Sequence, residues 1–245
     1  YIALGHEVVV VDNLSTGKKE LVNPKARFFE ADITDKATIQ KIILEEKPDI
    51  LLQVVDSTVL ERSLYLTSQL LELDIPMVIA LNMMNIAQKQ GIMIDTDRLS
   101  EILGVPVVVI SAISGEGKGE LAKNLHMAMI KGRKGHTVVQ EDKLWSKLEP
   151  LIARKLNEQQ GLFSGMRWLE NNEKFDWEGE LAAIRYEFSV SCCNKVITKK
   201  VAKTNPTEKL DRVFLHPLWG IPLFFACMAF VFHMTFSSSF LGTGI

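Results

Sequence analysis

Charge disappears from the end of this 245-residue chain: no Asp, Glu, Lys or Arg follows Arg212. Cysteine is scarce as well, with only Cys192, Cys193 and Cys227. Two of these are neighbours and the third lies in an apolar run, which excludes a disulfide scaffold, and no spacing suits a zinc site. The net charge of −2 gives no global reason to expect a nucleic-acid partner. The chain opens on Tyr1 without an initiating Met or a signal peptide and closes inside "SSSFLGTGI", so it reads as a piece of something longer.

What is present begins with apolar surface. Nearly half the residues are apolar, 47%, enough to bury a sizeable core in one large or two small domains. The uncharged end contains "LWGIPLFFACMAFVFHMTF". About 20 mostly apolar residues cross a bilayer core, so a transmembrane helix is expected over 216–237, followed by a truncated tail over 238–245. Gly220 and Pro222 are tolerable there, and Trp219 sits where an interfacial aromatic belongs. A basic excess from Lys195 to Arg212, including Lys199, Lys200 and Lys203, places the N-terminal side in the cytoplasm. His233 and Cys227 are the polar groups inside the run that bear watching. A buried core helix is the competing reading.

The first half alternates between strand and helix. "EVVVV" reads as a buried parallel strand, "ARFFEADI" as a second, and Asp35 as the cap of a helix over "KATIQKIILEEK". "PDILLQVVD", "PMVIALN" and "VPVVVIS" are further strands. Helices are expected over Thr58–Leu73, from Asp95 to a closing Gly104, and over "GKGELAKNLHMAMIK". The pattern is α/β with a parallel sheet up to about residue 132. Beyond "KGRKGHT" it becomes helical, over roughly Asp142–Asn157, Gly165–Asn171 and Glu178–Ala202. The fold class is therefore α/β: a partial parallel-sheet nucleotide-binding domain, a small all-α domain over 133–210, and a C-terminal transmembrane helix. The Cys192–Cys193 pair is expected to pack on the helical module.

Two short motifs carry chemistry. Asn82-Met83-Met84-Asn85 ends one strand, and Ser111-Ala112-Ile113 ends a later one, ahead of a Gly115-x-Gly117 turn that opens a helix. Guanine offers N1–H and an exocyclic amine as adjacent donors, which a carboxylate accepts together. An Asn amide before it holds N7 and ties the loops, and a backbone N–H in the Ser-Ala turn meets O6. Here Asn85 stands where that carboxylate belongs. An amide turns its NH2 toward one of the donors, and an unpaired buried donor costs about 1–3 kcal/mol. The expectation is weak guanine affinity with preference moved toward xanthine, which has an oxo group in place of the amine. The plainer reading makes Asn85 a helix cap. The sequence also lacks a G-x-x-x-x-G-K-[ST] turn, and no D-x-x-G precedes Asn82. No lysine is then supplied for the phosphates and no hydroxyl for Mg2+, so GTP hydrolysis by this chain alone is not expected.

"DSTVLERSLYLTSQLLELDIPMVIALNMMN", "RLSEILGVPVVVISAISGEGKGEL" and "EKLDRVFLHPLWGIPLF" resemble the bacterial ferrous iron transport protein B family. The resemblance runs from about Asp49 to Ile245. It implies a cytoplasmic G domain whose second half is 51–132, a helical domain coupling nucleotide state to the membrane, and an iron-conducting membrane region. It implies GTP or GDP read by Asn82, Met83, Asn85, Ser111, Ala112 and Ile113, a site in the bacterial inner membrane, and Fe2+ as cargo. A homo-oligomer is left open.

Residues 1–50 resemble a different family, the NAD-dependent sugar-nucleotide epimerases, through "GHEVVVVDNLSTGKKE" and "FFEADITDKATIQKIILEEKPDI". By that resemblance Asp12 would take the adenosine ribose hydroxyls. Asn13, Ser15 and Gly17 would line the adenosine pocket, and Asp32 and Ile33 would flank adenine. The glycine-rich turn and the catalytic Tyr-x-x-x-Lys of that family are not in these fifty residues. The chain is accordingly read as a chimera joined near residue 50. In both families the first strand, with its phosphate loop, lies inside the sheet, so a compromised or rearranged sheet is expected. The main expectation is a fragment of a GTP-binding iron transporter; the alternatives are an NAD-binding epimerase or dehydratase fragment and a membrane-anchored scaffold.

Overall fold

The computed structural model describes residues 1–132, 135–155, 162–171, 177–199 and 220–236. Its first pair of strands, β1 (Val9–Asp12) and β2 (Arg27–Glu30), is parallel, with Val9 opposite Arg27 and Asp12 opposite Glu30. Arg27 leaves the ladder to bind Glu46 at 2.9 Å and Glu7 at 3.3 Å. The helix that follows, α1 (Lys36–Glu46), starts at Asp35, whose carboxylate accepts the N–H groups of Ala37 and Thr38. Those amides have no partner inside the helix, and the short Asp side chain supplies one.

A second parallel sheet has the order β3 (Leu51–Asp56), β4 (Met77–Asn82), β6 (Val107–Val109). β4 is central, and Met77 through Leu81 are buried, as a strand covered on both faces requires. β3 is an edge. Val55 points into the core, whereas Leu52 and Val54 on its other face remain 44% and 61% exposed. The α/β class and its parallel sheets are as expected, and the sheet is divided between β2 and β3. No ladder joins the two pieces among the described residues.

Helices α2 (Leu60–Leu71), α4 (Thr96–Leu103) and α5 (Lys118–Lys131) connect and cover the second sheet. Leu60, Leu64, Leu71, Leu99 and Leu103 pack beneath β3 and β4 with Val55, Met77, Ile79 and Leu81. Leu125 and Ala128 of α5 cover Val78 and Val108 on the other face. α4 is bounded as its sequence implies. Asp95 caps it through the Arg98 N–H, and Gly104 ends it at φ 72°. Short α3 (Met84–Lys89) follows β4, and β5 (Ile92–Ile94) pairs with β7 (Ile197–Lys199) in a two-stranded sheet.

The helical part consists of α6 (Val138–Glu141), α7 (Trp145–Lys155), α8 (Leu162–Glu170) and α9 (Trp177–Val196). Val139, Leu148, Ile152, Met166, Leu169 and Leu181 form its core. The long helix α9 serves two cores. Leu181 and Ile184 pack with α6–α8, while Cys192, Cys193 and Val196 pack under the β3–β4–β6 sheet. The cysteine pair thus belongs to the α/β core and not to the helical module. The reason is helical spacing, since Leu181, Arg185, Ser189, Cys192 and Val196 form one buried stripe running the length of α9.

The last described element, α10 (Gly220–Phe236), lies in a separate compact unit. It has 17 residues, about 25 Å at 1.5 Å per residue. Among the described residues no helix is long and apolar enough to cross a membrane. Of the span expected over 216–237, residues 220–236 form this helix, and 216–219 and 237 lie outside the described residues. Its Ile221, Phe224, Phe225, Phe230 and Phe232 are exposed, as are Cys227 and His233. His216, Trp219, Lys200, Lys203 and the tail over 238–245 also lie outside the described residues.

Candidate nucleotide-base site

In a parallel α/β sheet, the loops that leave the carboxyl ends of the strands are where ligands bind. Three such loops meet here. β3 and β4 end together, with Asp56 opposite Asn82 on the last rung. β6 ends beside them, where the Ile110 N–H bonds the Leu81 carbonyl at 2.8 Å. Both halves of the expected base site emerge from adjacent strands because β4 and β6 are neighbours.

Asn82 joins the two halves. Its Oδ1 accepts the backbone N–H of Ala112 at 3.2 Å. That leaves the Nδ2 donors without a partner among the described residues, and no buried unsatisfied side-chain nitrogen or oxygen occurs among them. A primary amide with its acceptor engaged and its donors open suits a ligand acceptor such as a purine N7. Immediately after it, Met83 takes φ 62°, a left-handed turn uncommon for a side chain of this size. The Met83 carbonyl then accepts from the Ile86 and Ala87 N–H groups, opening α3.

The second loop is braced from within. Ser111 N–H bonds the Glu116 carbonyl at 3.1 Å, and the Gly115 N–H bonds the Ser111 carbonyl at 2.8 Å. The Ser111 hydroxyl accepts the Ser114 N–H at 3.3 Å. Gly117 closes the loop at φ 78°, and a Cβ there would stand 2.2 Å from the Val109 carbonyl oxygen. Ala112 and Ile113 are exposed at the tip.

Asn82, Ser111 and Ala112 are thus brought together. Asn85 lies in the first turn of α3, exposed, with no hydrogen bond to the Ser111–Ile113 loop among the described residues. Since it sits inside the helix, it is not the residue before its start. Met83 and Ile113 present apolar surface to solvent on either side. Ser57 is a residue that sequence reasoning did not single out. It is 1% exposed, and its hydroxyl donates to the Asn82 carbonyl at 2.7 Å.

The residues to which the epimerase resemblance gives an adenosine role cluster at the carboxyl ends of β1 and β2. Asn13 donates to Asp32 at 3.3 Å. Asp12 accepts the Leu14 N–H at 2.6 Å, and Asn13 accepts the Ser15 N–H at 3.1 Å. These side chains close their own turns, as short polar residues do. The Thr34 hydroxyl and N–H, with the Asn13 amide, hold the Asp32 carboxyl below its ordinary range. Gly17 faces Asp12, its Cβ position 3.5 Å from a carboxylate oxygen. Ile33 instead lines a cleft with Ile39, Ile43, Leu66, Leu70 and Arg167.

Residues 29–125 match the family model of ferrous iron transport protein B, a match that begins ahead of Asp49. The Fe(2+) transporter FeoB of Salmonella typhimurium is 30% identical over 253 aligned residues, covering 93% of this chain and 32% of that protein. FeoB of Escherichia coli K12 is 29% identical, with the same coverage of 93% and 32%. The chain thus spans about a third of the length of these relatives, 32%. Among solved structures, the cytosolic domain of L. pneumophila FeoB superimposes with a TM-score of 0.56 at 30% identity, covering 68% of this chain and 73% of that one. A GDP-bound mutant of the S. thermophilus FeoB G-domain gives 0.59 at 26% identity, covering 66% and 74%. The chain belongs to the ferrous iron transport protein B family, whose model it matches over residues 29–125 and whose cytosolic-domain fold it shares.

Proposed function

We propose that the chain carries the base-reading half of a GTP-binding domain from a ferrous iron membrane transporter. The observation that supports this reading is the single hydrogen bond from the Ala112 N–H to Asn82 Oδ1. It ties the loops after β4 and β6 and leaves the Asn82 amine open. In this reading Asn82 donates to N7, the Ser111–Ile113 loop presents its backbone to O6, and Asn85 faces the N1 edge. GTP and GDP bind weakly because Asn85 supplies an amide where two donors call for a carboxylate, and xanthine nucleotides gain by comparison. The stretch has no phosphate loop, and without that loop it does not hold Mg2+ at the phosphates. It does not hydrolyse GTP or move Fe2+ on its own.

The helical part relays nucleotide state, and α10 with its flanking residues leads into the bilayer, with the preceding domains facing the cytoplasm. The uncharged sequence after Arg212 and the basic stretch before it support that orientation. The division of the sheet between β2 and β3 supports reading the start of the chain as a separately derived piece, whereas the family match from residue 29 counts against a join as late as residue 50. A long sequencing read through the codons for Glu45 to Ser57 tests the join.

The nucleotide reading is tested by titrating GDP and XDP into the chain and into Asn85→Asp. The substitution is expected to tighten GDP by about tenfold, equivalent to about 1.4 kcal/mol, and to weaken XDP. Equal GDP affinity in both proteins would overturn it. A second reading, NAD held by its adenosine at Asp12, Asn13, Asp32 and Ile33, has one supporting observation. Asp12 is an exposed carboxylate at the end of a parallel strand. Saturable NAD binding lost in Asp12→Ala is its test.

A further inference from the structure

We infer that Ser57 is a positioning residue for the base site, acting through Asn82; the ligand consequence rests on the reading of Asn82 as the N7 donor. The β3–β4 ladder begins with the Leu51 N–H on the Pro76 carbonyl at 2.8 Å. In a parallel pair such bonds recur every second residue, and that step carried along the strand arrives at Ser57 opposite the Asn82 carbonyl. There β3 has already ended. Asp56 accepts the N–H of Thr58 at 2.8 Å and its hydroxyl at 2.7 Å, and the chain turns into a short 3-10 helix over Ser57–Val59. The Ser57 hydroxyl extends the ladder by one bond, donating to the Asn82 carbonyl at 2.7 Å from a position that is 1% exposed.

The consequence lies in the peptide between Asn82 and Met83. Its carbonyl is held by Ser57 just before Met83 makes its turn at φ 62°. The Asn82 side chain, pinned by the Ala112 N–H, departs from the same Cα. Ser57 thereby fixes the backbone from which the amide reaches across. A part-buried carbonyl without its donor seeks another, and the peptide can rotate to find one. Such a rotation swings the Asn82 side chain away from Ala112. Ser57 touches no ligand, so its role is to aim the residue that does.

The test compares the whole chain with Ser57→Ala and Ser57→Thr, which keeps a hydroxyl on the same atom. Without ligand, amide hydrogen exchange at Ala112 is expected to quicken by about tenfold in Ser57→Ala and to recover in Ser57→Thr. Exchange at Ile110, bonded to Leu81, is expected to stay unchanged, which shows that the sheet remains folded. With ligand, GDP and its 7-deaza analogue are titrated. The analogue lacks the N7 acceptor, so the original chain prefers GDP by about tenfold. In Ser57→Ala that preference collapses toward one while affinity for the analogue holds. Equal losses for both nucleotides, or unchanged Ala112 exchange, would overturn the inference. If the original chain shows no preference for GDP over the analogue, the N7 reading of Asn82 is overturned, and Ala112 exchange alone decides whether Ser57 sets the turn.

Discussion

Arg185 and Glu72, separated by 113 positions in sequence, meet in a buried two-pronged ion pair. Nε donates to Oε1 at 2.9 Å and Nη2 to Oε2 at 2.8 Å. Arg185 sits on α9, and Glu72 directly follows α2. The remaining nitrogen, Nη1, binds Glu170 of α8, which also accepts from Arg167 at 2.7 Å. Burial by itself would lower the pKa of Arg185, but the Glu72 and Glu170 carboxylates more than reverse that and raise it further. The guanidinium is therefore charged at every working pH and bolts the sheet's helix to the helical part.

Removing that bolt takes away the guanidinium that the buried Glu72 and Glu170 carboxylates share. Arg185→Met is expected to destabilise the chain by about 3–5 kcal/mol, measured by urea unfolding. Adding Glu72→Met is expected to restore part of the loss, because an apolar pair of similar volume carries no desolvation penalty. A single-substitution loss under about 1 kcal/mol, the range of exposed pairs, would show that the pair is not buried in solution.

Gly117→Ala is expected to disrupt the loop after β6. Its φ of 78° would cost a side chain about 1–3 kcal/mol, and the added Cβ would meet the Val109 carbonyl at 2.2 Å. Gly119, whose Cβ position is open, serves as the control. Gly119→Ala should leave the melting temperature within a degree or so or raise it slightly, because alanine is the better helix former inside α5. Equal melting temperatures for the two variants would contradict the loop geometry.

Thiol chemistry separates the cysteines. Burial pushes Cys192 up to about 12 and Cys193 up to about 11, whereas Cys227 is exposed. At pH 8 a maleimide is expected to modify Cys227 in the native chain and the other two only after unfolding, read by mass spectrometry. The linked stability is fully present below the ordinary thiol pKa of the unfolded chain. It is lost as the pH rises through that value toward about 11 and 12.

Asp35 behaves in the opposite sense. The Thr38 hydroxyl, then the Thr38 and Ala37 N–H groups, hold its carboxyl below its ordinary range. Its contribution to the start of α1 is complete above the ordinary Asp pKa and is lost as the pH falls through the depressed value. Amide protection at Ala37 and Thr38 should therefore persist at mild acidity and fade only below the usual aspartate titration. Asp35→Asn, which keeps a capping oxygen, should remove that pH dependence.

The local features were legible because they are written in neighbouring residues. Asp35 and Asp95 cap helices, the β-branched runs form parallel strands, and Asn82 and Ser111-Ala112 stand at adjacent strand ends. Arg185 left a readable trace, being the charged member of the buried Leu181, Ser189, Cys192 and Val196 stripe. A cation on an apolar face requires a buried partner, although the spacing does not say which one. Ser57 left none, because a serine after a strand is ordinary turn chemistry until its hydroxyl has a carbonyl to meet.

By itself the sequence determined the α/β alternation, the capped starts of α1 and α4, and the strand ends that carry Asn82 and Ser111-Ala112, since propensity, capping and hydrophobic period act over a few residues. Only the tertiary structure decided that the sheet divides between β2 and β3, that α9 serves both cores, and that Glu72 is the partner of Arg185. Such choices follow from which apolar faces and buried charges find each other across a hundred positions or more, and no local window of the chain contains both sides of them.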